Sequence, residues 1–395
     1  MKNFKKLSAL VLAGAMVFSL VACGGGSSET PAPETTTPAE TAPAETASAT
    51  DMKVAMITDY GDITDQSFNQ TTYEACNEFC TANSVEFTYY KPAGDSTAER
   101  VAMVDAAVAE GYNVVVMPGY AFAETIKETA EMYPDVTFIA LDVGEGDLGA
   151  DYTVPSNVYC AVYQEELCGY MAGYAAVKLG YTHLGFLGGM AVPAVQRYGY
   201  GFVQGADAAA AELGNGADVT VEYVYGNQFF GDADITAYMD NWYQTQGVEV
   251  VFACGGGIYT SAAEAAAKVG GKVIGVDVDQ AAIIDAYGEG MTVTSAMKGL
   301  ANTTKHLLQE VMDGNFANYG GQIETLGLVS GDDPTANYVQ LPMESTQWSD
   351  TFTQDDYKAL VAGMYDGTIT VSNDVSVAAA DYATVITVNE YGNIK

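Results

Sequence analysis

The feature that most constrains this chain is a repeated alternation of short apolar runs with longer helical ones, each apolar run ending in a polar or glycine-rich turn. Runs at 54–57, 85–90, 113–117 and 137–141 are continuous or alternating in apolar residues and predict strands. Between them, Ser67 opens a helical run through Tyr73, Cys76 and Phe79 to Cys80, and 96–110 and 121–133 carry helical spacing. Pro155-Ser156-Asn157 interrupts the pattern, after which 158–163 reads as a crossing strand. Gln164 then starts a helix of small residues, including Gly169, Ala172, Gly173 and Ala176, that predicts close packing. A second series follows, with strands at 183–187, 219–225, 248–253 and 272–276 and helices at 197–213, 235–244 and 260–268. Such alternation predicts an α/β protein built from βαβ units and mostly parallel sheets.

At 395 residues the chain is long for one core, so two lobes are expected. A strand at 292–297, a helix at 300–312, a short strand at 327–329 and a helix at 355–365 complete the pattern. The lobes are expected to be discontinuous, 52–156 with 297–328 and 157–296 with 329–395, so that the chain crosses a three-strand hinge. Such a hinge suits closure on a ligand.

In open α/β sheets ligands bind beyond the carboxyl ends of the strands. One rim of such ends carries Asp59, Gly119 and Asp142; the other carries Gly188-Gly189-Met190, Asn227-Gln228-Phe229-Phe230, Cys254-Gly255-Gly256-Gly257 and Asp277-Val278-Asp279-Gln280. Asp59, Asp142 and Asp277 each have two readings, a cap or turn former for the next helix or a ligand acceptor able to bond a diol. Three on facing rims favour binding. Phe68, beside Asn69, either staples its helix to the core or stacks on a planar ligand. Phe252 is divided between core and site, with Phe229 and Phe230 as further rings. Lys298 is either a donor to a ligand hydroxyl or half of a hinge ion pair.

Other chemistries find little support. Gly255-Gly256-Gly257 lacks the Lys-Ser/Thr of a phosphate loop and is better suited to backbone approach to a ligand. The chain has two histidines, His183 and His306, from which no Ser-His-Asp or Cys-His set is assembled, so a hydrolase is not expected and a two-carboxylate glycosidase ranks last. Cys76 and Cys80, four apart, lack histidines at zinc spacing, so no metal is expected; with Cys160, Cys168 and Cys254 they read as small buried residues. A net charge of −36 makes nucleic-acid polymers poor partners.

The N-terminus reads as targeting. Lys2, Lys5 and Lys6 precede an apolar stretch at 7–20, and Leu20-Val21-Ala22-Cys23 resembles a bacterial lipobox. Residues 1–22 are expected to be a lipoprotein signal peptide and Cys23 the lipidated residue, holding the protein to the outer face of a membrane. Residues 23–51, Gly, Ser, Glu, Thr, Pro and Ala almost throughout, are expected to be a disordered tether.

Thr58-Asp59-Tyr60-Gly61-Asp62-Ile63 with Asp65-Gln66-Ser67-Phe68-Asn69-Gln70, the Gly256-Gly257 turn, Ile274-Gly275-Val276-Asp277-Val278-Asp279-Gln280 and Thr294-Ser295-Ala296-Met297-Lys298 together resemble the BMP (basic membrane protein) family of lipoproteins. The resemblance runs from about Lys53 to about Ser372, so 374–395 lie beyond it. It implies a type I periplasmic-binding-protein fold and an extracytoplasmic, non-enzymatic receptor that serves an ABC permease and its ATPase, most similar to purine-nucleoside receptors. By matching motif it implies that Asp59, Phe68, Asn69 and Asp142 hold the base, with Phe68 stacked on it, and that Gly256, Asp277 and Lys298 hold the ribose. The second ring falls to Phe252 rather than Phe229. No cofactor is implied, and a monomer is expected. Riboflavin, a sugar, or a sensor role without a permease are the alternatives.

Overall fold

A computed structural model describes residues 51–395. The expected signal segment, Cys23 and the tether up to residue 50 lie outside the described residues. The first lobe is built from β1 (Lys53–Ile57), α1 (Phe68–Asn83), β2 (Glu86–Tyr90), α2 (Thr97–Ala109), β3 (Val114–Pro118), α3 (Ala123–Thr129), β4 (Thr137–Leu141), α4 (Glu145–Leu148) and β5 (Val158–Tyr163). The second contains α5 (Glu165–Lys178), β6 (His183–Gly188), α6 (Pro193–Leu213), β7 (Thr220–Tyr225), α7 (Ala233–Asn241), β8 (Val250–Cys254), α8 (Tyr259–Ala267), β9 (Lys272–Asp277), α9 (Ala281–Ile284) and β10 (Thr292–Lys298). The chain then returns to the first lobe for α10 (Leu300–Met312) and β11 (Gln322–Leu326), and ends in the second with β12 (Val339–Gln340), α11 (Gln354–Tyr365) and β13 (Thr387–Asn393).

The first sheet runs β11-β5-β4-β3-β1-β2 and all its pairs are parallel. The second runs β12-β10-β9-β8-β6-β7-β13, parallel except where β12 meets β10. Strand order reverses beside β1 in one sheet and beside β6 in the other, and such switch points open a crevice at the strands' carboxyl ends. Helices cover both faces, so the central strands are buried on both sides and read as unbroken apolar runs.

The crossings differ from the expected positions. The strand 158–163 pairs with β4 and belongs to the first sheet, so the first crossing is at Gln164, whose N–H donates to Leu326 O (2.9 Å), and not at 156. Lys298 still belongs to β10, which moves the second crossing to Gly299. The strand expected at 327–329 is replaced by β11 at Gln322–Leu326, and 327–338 form the third crossing. As an edge strand, β11 is half exposed and carries no apolar run to announce it. The same reason hid β13, an edge strand with an exposed face that pairs with β7.

Helices α5 and α6 pack backbone to backbone. A Cβ on Gly169 or Gly173 would lie 2.0 Å from the carbonyl oxygen of Tyr198 or Phe202, and one on Gly201 or Gly205 would lie 2.0 Å from that of Glu166 or Tyr170. The two pairs of glycines, each four residues apart, thus face each other across the contact. This rigid unit carries Glu165 and Arg197 at the cleft. Gly173→Val should therefore destabilise the protein by about 3 kcal/mol or more, seen as a lower midpoint in denaturant unfolding; an unchanged midpoint would contradict the packing.

Candidate ligand-binding site

The carboxyl ends of both sheets face one cavity of about 970 Å³. It collects Asp59, Phe68, Asn69, Asp142, Gly256, Asp277 and Lys298. Phe252 is not among them. It is fully buried and packs on Phe186, Tyr198 and Phe202 at ring distances of 5.5, 5.9 and 5.5 Å, because it lies two residues short of the end of β8 and behind Tyr198. The second-lobe rings that do line the cavity are Tyr198, Phe229, Phe230 and Tyr259, and the main-chain bond from Gly257 N–H to Phe229 O (2.9 Å) holds Phe229 against the glycine turn. Gly256 in that turn has φ of 51°.

The start of α1 explains how the first wall is built. Asp65 accepts from the backbone N–H of Ser67, Asn69 and Gln70 at 2.9–3.0 Å and so satisfies the open helix end. Ser67, at the N-cap position, is freed from capping, and its hydroxyl donates to Asp277 Oδ2 at 2.5 Å. That bond spans the cleft. Gln280 Nε2 makes a second crossing to Gln66 O at 3.0 Å. The lobes are closed on the cavity.

Asp59 forms its turn, its Oδ1 accepting from the N–H of both Tyr60 and Gly61 at 2.6 Å. Burial raises its carboxyl above the usual range, and those two N–H groups oppose the rise. Asp142 and Asp277 both have left-handed backbones, with φ of 59° and 66°, and neither caps a helix. Both surround Lys298. Its Nζ lies 2.5 Å from Asp142 Oδ2, 3.5 Å from Glu165 Oε1 and 3.7 Å from Asp277 Oδ1. Arg197 Nε completes the cluster with a 2.7 Å bond to Glu165 Oε2. Burial works against the charge on Lys298, and Asp142, Asp277 and Glu165 outweigh it and hold the ammonium well above its ordinary value. Burial pushes Asp142 up to about 6, with Lys298 pulling against it. The same ammonium sits 4.7 Å from the centre of the half-buried Phe68 ring.

Two acceptors in this wall have no partner. Asn69 Oδ1 and Asp142 Oδ1 are both buried and unbonded. Leaving such an oxygen unpaired costs about 1–3 kcal/mol, which a donor on a ligand would recover. The lining also carries seven carboxylates (Asp59, Asp62, Asp65, Asp142, Glu145, Asp147, Asp277) against three cations, Lys91, Arg197 and Lys298. Two of those cations, Arg197 and Lys298, are already paired with buried acids. A site of this sign welcomes neutral donors and repels phosphate. Among the described residues, no group of three or more His, Cys, Asp or Glu side chains is placed to hold a metal. The five cysteines from Cys76 to Cys254 are free and buried.

Glu165 and Arg197 were not singled out in the sequence. Glu165 sits in an acidic pair that reads as the first turn of a helix, and Arg197 is a lone cation; only the crossing at Gln164 brings them to Lys298.

With this geometry in place, the sequence pattern of the Bmp family, described as "ABC transporter substrate-binding protein PnrA-like", matches residues 52–333. The chain belongs to that family. Among relatives of this Bmp-family protein, "ABC transporter nucleoside-binding protein BmpA" of Lactococcus lactis is 27% identical over 71% of this chain and 80% of its own length. "CD4+ T-cell-stimulating antigen" of Listeria innocua is 26% identical over 87% of this chain and 94% of its own. An "Uncharacterized lipoprotein" of Pyrococcus abyssi is 24% identical over 81% of this chain and 74% of its own. In three dimensions, an ABC transporter solute-binding protein of Aeropyrum pernix aligns over 81% of this chain and 87% of its own, with a TM-score of 0.61 and 22% identity. One of Conexibacter woesei aligns over 82% and 99% with a TM-score of 0.62. Those likenesses establish the periplasmic-binding-protein fold.

The Lys298 cluster makes a direct prediction. Lys298→Met leaves Asp142, Glu165 and Asp277 without their shared cation and should cost about 3–5 kcal/mol of stability. Chemical unfolding measures it, and a loss below 1 kcal/mol would show that the cluster is not an energetic unit.

Proposed function

We propose that this Bmp-family protein is a lipid-anchored extracytoplasmic receptor that closes on a nucleoside, with a purine base, and hands it to the permease of an ABC importer. The observation that carries the reading is the pair of buried, unbonded acceptors, Asn69 Oδ1 and Asp142 Oδ1, in a cavity that also presents the Phe68 ring. A purine offers a flat face to that ring and N–H donors to those oxygens. A ribose offers a diol, for which Asp277 is the acceptor opposite and Lys298 the donor. Asp59 holds the wall's turn, and the Gly256 backbone lets the sugar approach. Phe229 replaces Phe252 as the second ring. Holding and release, not bond making, are the chemistry of this set.

The excess of lining carboxylates separates nucleosides from nucleotides. A nucleoside bonds the acceptors, whereas its 5′-monophosphate brings about two negative charges into an acidic cavity. Riboflavin is the competing ligand, because it also joins an aromatic ring to a polyol and about 970 Å³ lies at the upper end of small-ligand sites. The lipobox-like Leu20-Val21-Ala22-Cys23 supports the anchoring, as does a relative named a lipoprotein. Cys23→Ser should move the protein from the membrane fraction to the soluble one.

Calorimetric titration with inosine, guanosine, adenosine, cytidine, uridine, riboflavin, ribose and the 5′-monophosphates tests the proposal. Purine nucleosides should bind and their monophosphates should bind at least tenfold more weakly; binding by riboflavin or ribose but by no nucleoside would reject it. Phe68→Ala should weaken the nucleoside by about 1–3 kcal/mol, the usual worth of an aromatic stacked on a base. The pH dependence has a definite sign. Asp142 is the stronger acceptor for a ligand donor when ionised, and burial pushes its carboxyl up to about 6. Binding then releases a proton near that value, so affinity should fall as pH drops through it and level off above. An affinity that rises on acidification would contradict the role of Asp142.

A further inference from the structure

Residues 334–395 lie past the stretch that matches the family pattern, yet part of them returns to the cavity. Asn373 and Val375 line it, in a segment that follows α11 and crosses the face of α6. The segment is tied down at several points. Gln204 on α6 accepts from Ser372 N–H (2.9 Å) and donates to Ser372 O (2.9 Å). Tyr200, one turn earlier, donates to Val377 O (2.9 Å), and Tyr382 donates to Asp374 O (2.7 Å). Further on, Asp207 of α6 accepts from the N–H groups of Thr384, Val385 and Ile386 and from the Thr384 hydroxyl, at 2.6–3.2 Å. The tail then joins the sheet edge as β13, and Lys395 pairs with Asp232.

These ties fix position. Helix α6 begins at Pro193, and its first residues, Pro193, Ala194, Val195 and Arg197, line the same cavity. Anything bolted to Tyr200, Gln204 and Asp207 therefore moves with that wall. Val375 packs on the core, whereas Asn373 is exposed at the cavity edge and its carboxamide makes no bond within the protein.

We infer that residues 372–377 are a strap forming a third wall of the ligand cavity, and that Asn373 is a specificity-determining residue that bonds a neutral polar group at the outward end of the ligand. The inference rests on the reading of the cavity as the ligand site. A carboxamide both donates and accepts without charge, so it suits a hydroxyl or an amide and gives a charged group no counter-ion. Because the strap borders the cavity, loosening it should speed release of the ligand.

The test uses the full-length protein and the same ligand panel, with affinities from calorimetry and release rates from stopped flow. Asn373→Ala should weaken the bound ligand about 3- to 10-fold, the worth of one neutral hydrogen bond, with an unchanged unfolding midpoint in the absence of ligand. Gln204→Ala, remote from the ligand, removes both bonds to Ser372 and should loosen the strap and speed release with little change in association. Normal affinity and release in both variants would overturn the strap's role while leaving the nucleoside reading intact. Failure of the parent protein to bind any nucleoside would reject that reading instead, and the strap is then judged on riboflavin or ribose. Hydrogen exchange supplies a readout that needs no ligand. The amide of Ser372 should be protected in the parent and exposed in Gln204→Ala; fast exchange there in the parent would overturn the strap by itself.

Discussion

One buried ammonium holds the two lobes in register. Lys298 ends β10, the last strand before the chain leaves the second lobe, and is all but inaccessible. Asp142 reaches it from the end of β4 in the first lobe, Asp277 from the end of β9 in the second, and Glu165 from the helix start just after the first crossing. Three carboxylates around one cation leave a surplus of negative charge, which Arg197 relieves through Glu165. A charge cluster of this kind adds little net stability compared with an apolar core, but it tolerates few alternative geometries. Its effect is to leave one carboxylate oxygen, Asp142 Oδ1, buried and unbonded beside the cavity.

The cavity inherits its character from that arrangement. Because its two most central cations are paired with protein acids, it has little positive charge to offer a ligand, and its open groups are acceptors and aromatic rings. In the closed form Asp277 accepts from Ser67 across the cleft and faces Lys298. In the proposed reading a ligand diol joins this set of bonds, and the Ser67 contact gives the closed state a bond of its own. Among the described residues no helix is long and apolar enough to cross a membrane.

The fold was legible where strands are buried on both faces. β3 and β4 are wholly buried and were found within a residue, and Asp59, Asp142 and Asp277 stood out because each polar residue ends such a run. Two edge strands were not legible, since half their residues face water and no apolar alternation marks them: β11 was misplaced by five residues' width and β13 was missed, whereas β2, also at an edge, alternates and was found. The topology of the crossings also lay beyond local pattern. Residues 158–163 look the same whether they join one sheet or the other, and only pairing with β4 assigns them. Within the site, single residues next to strand ends were found, but contacts made through the crossing were not. Ser67 opens the helical run in the sequence, and it is a cross-cleft donor because Asp65 takes over the capping. Phe252 looked like a ring at a strand end and lies one layer behind it.

The most direct test of this account is a crystal structure of the protein grown with a purine nucleoside. The account predicts the base against Phe68 with its donors on Asn69 Oδ1 and Asp142 Oδ1, and the ribose hydroxyls on Asp277 while Lys298 keeps its bond to Asp142. A ligand lying outside the Phe68–Asp277 cleft, or one that displaces Asp142 from Lys298 to pair with the ammonium itself, would contradict it.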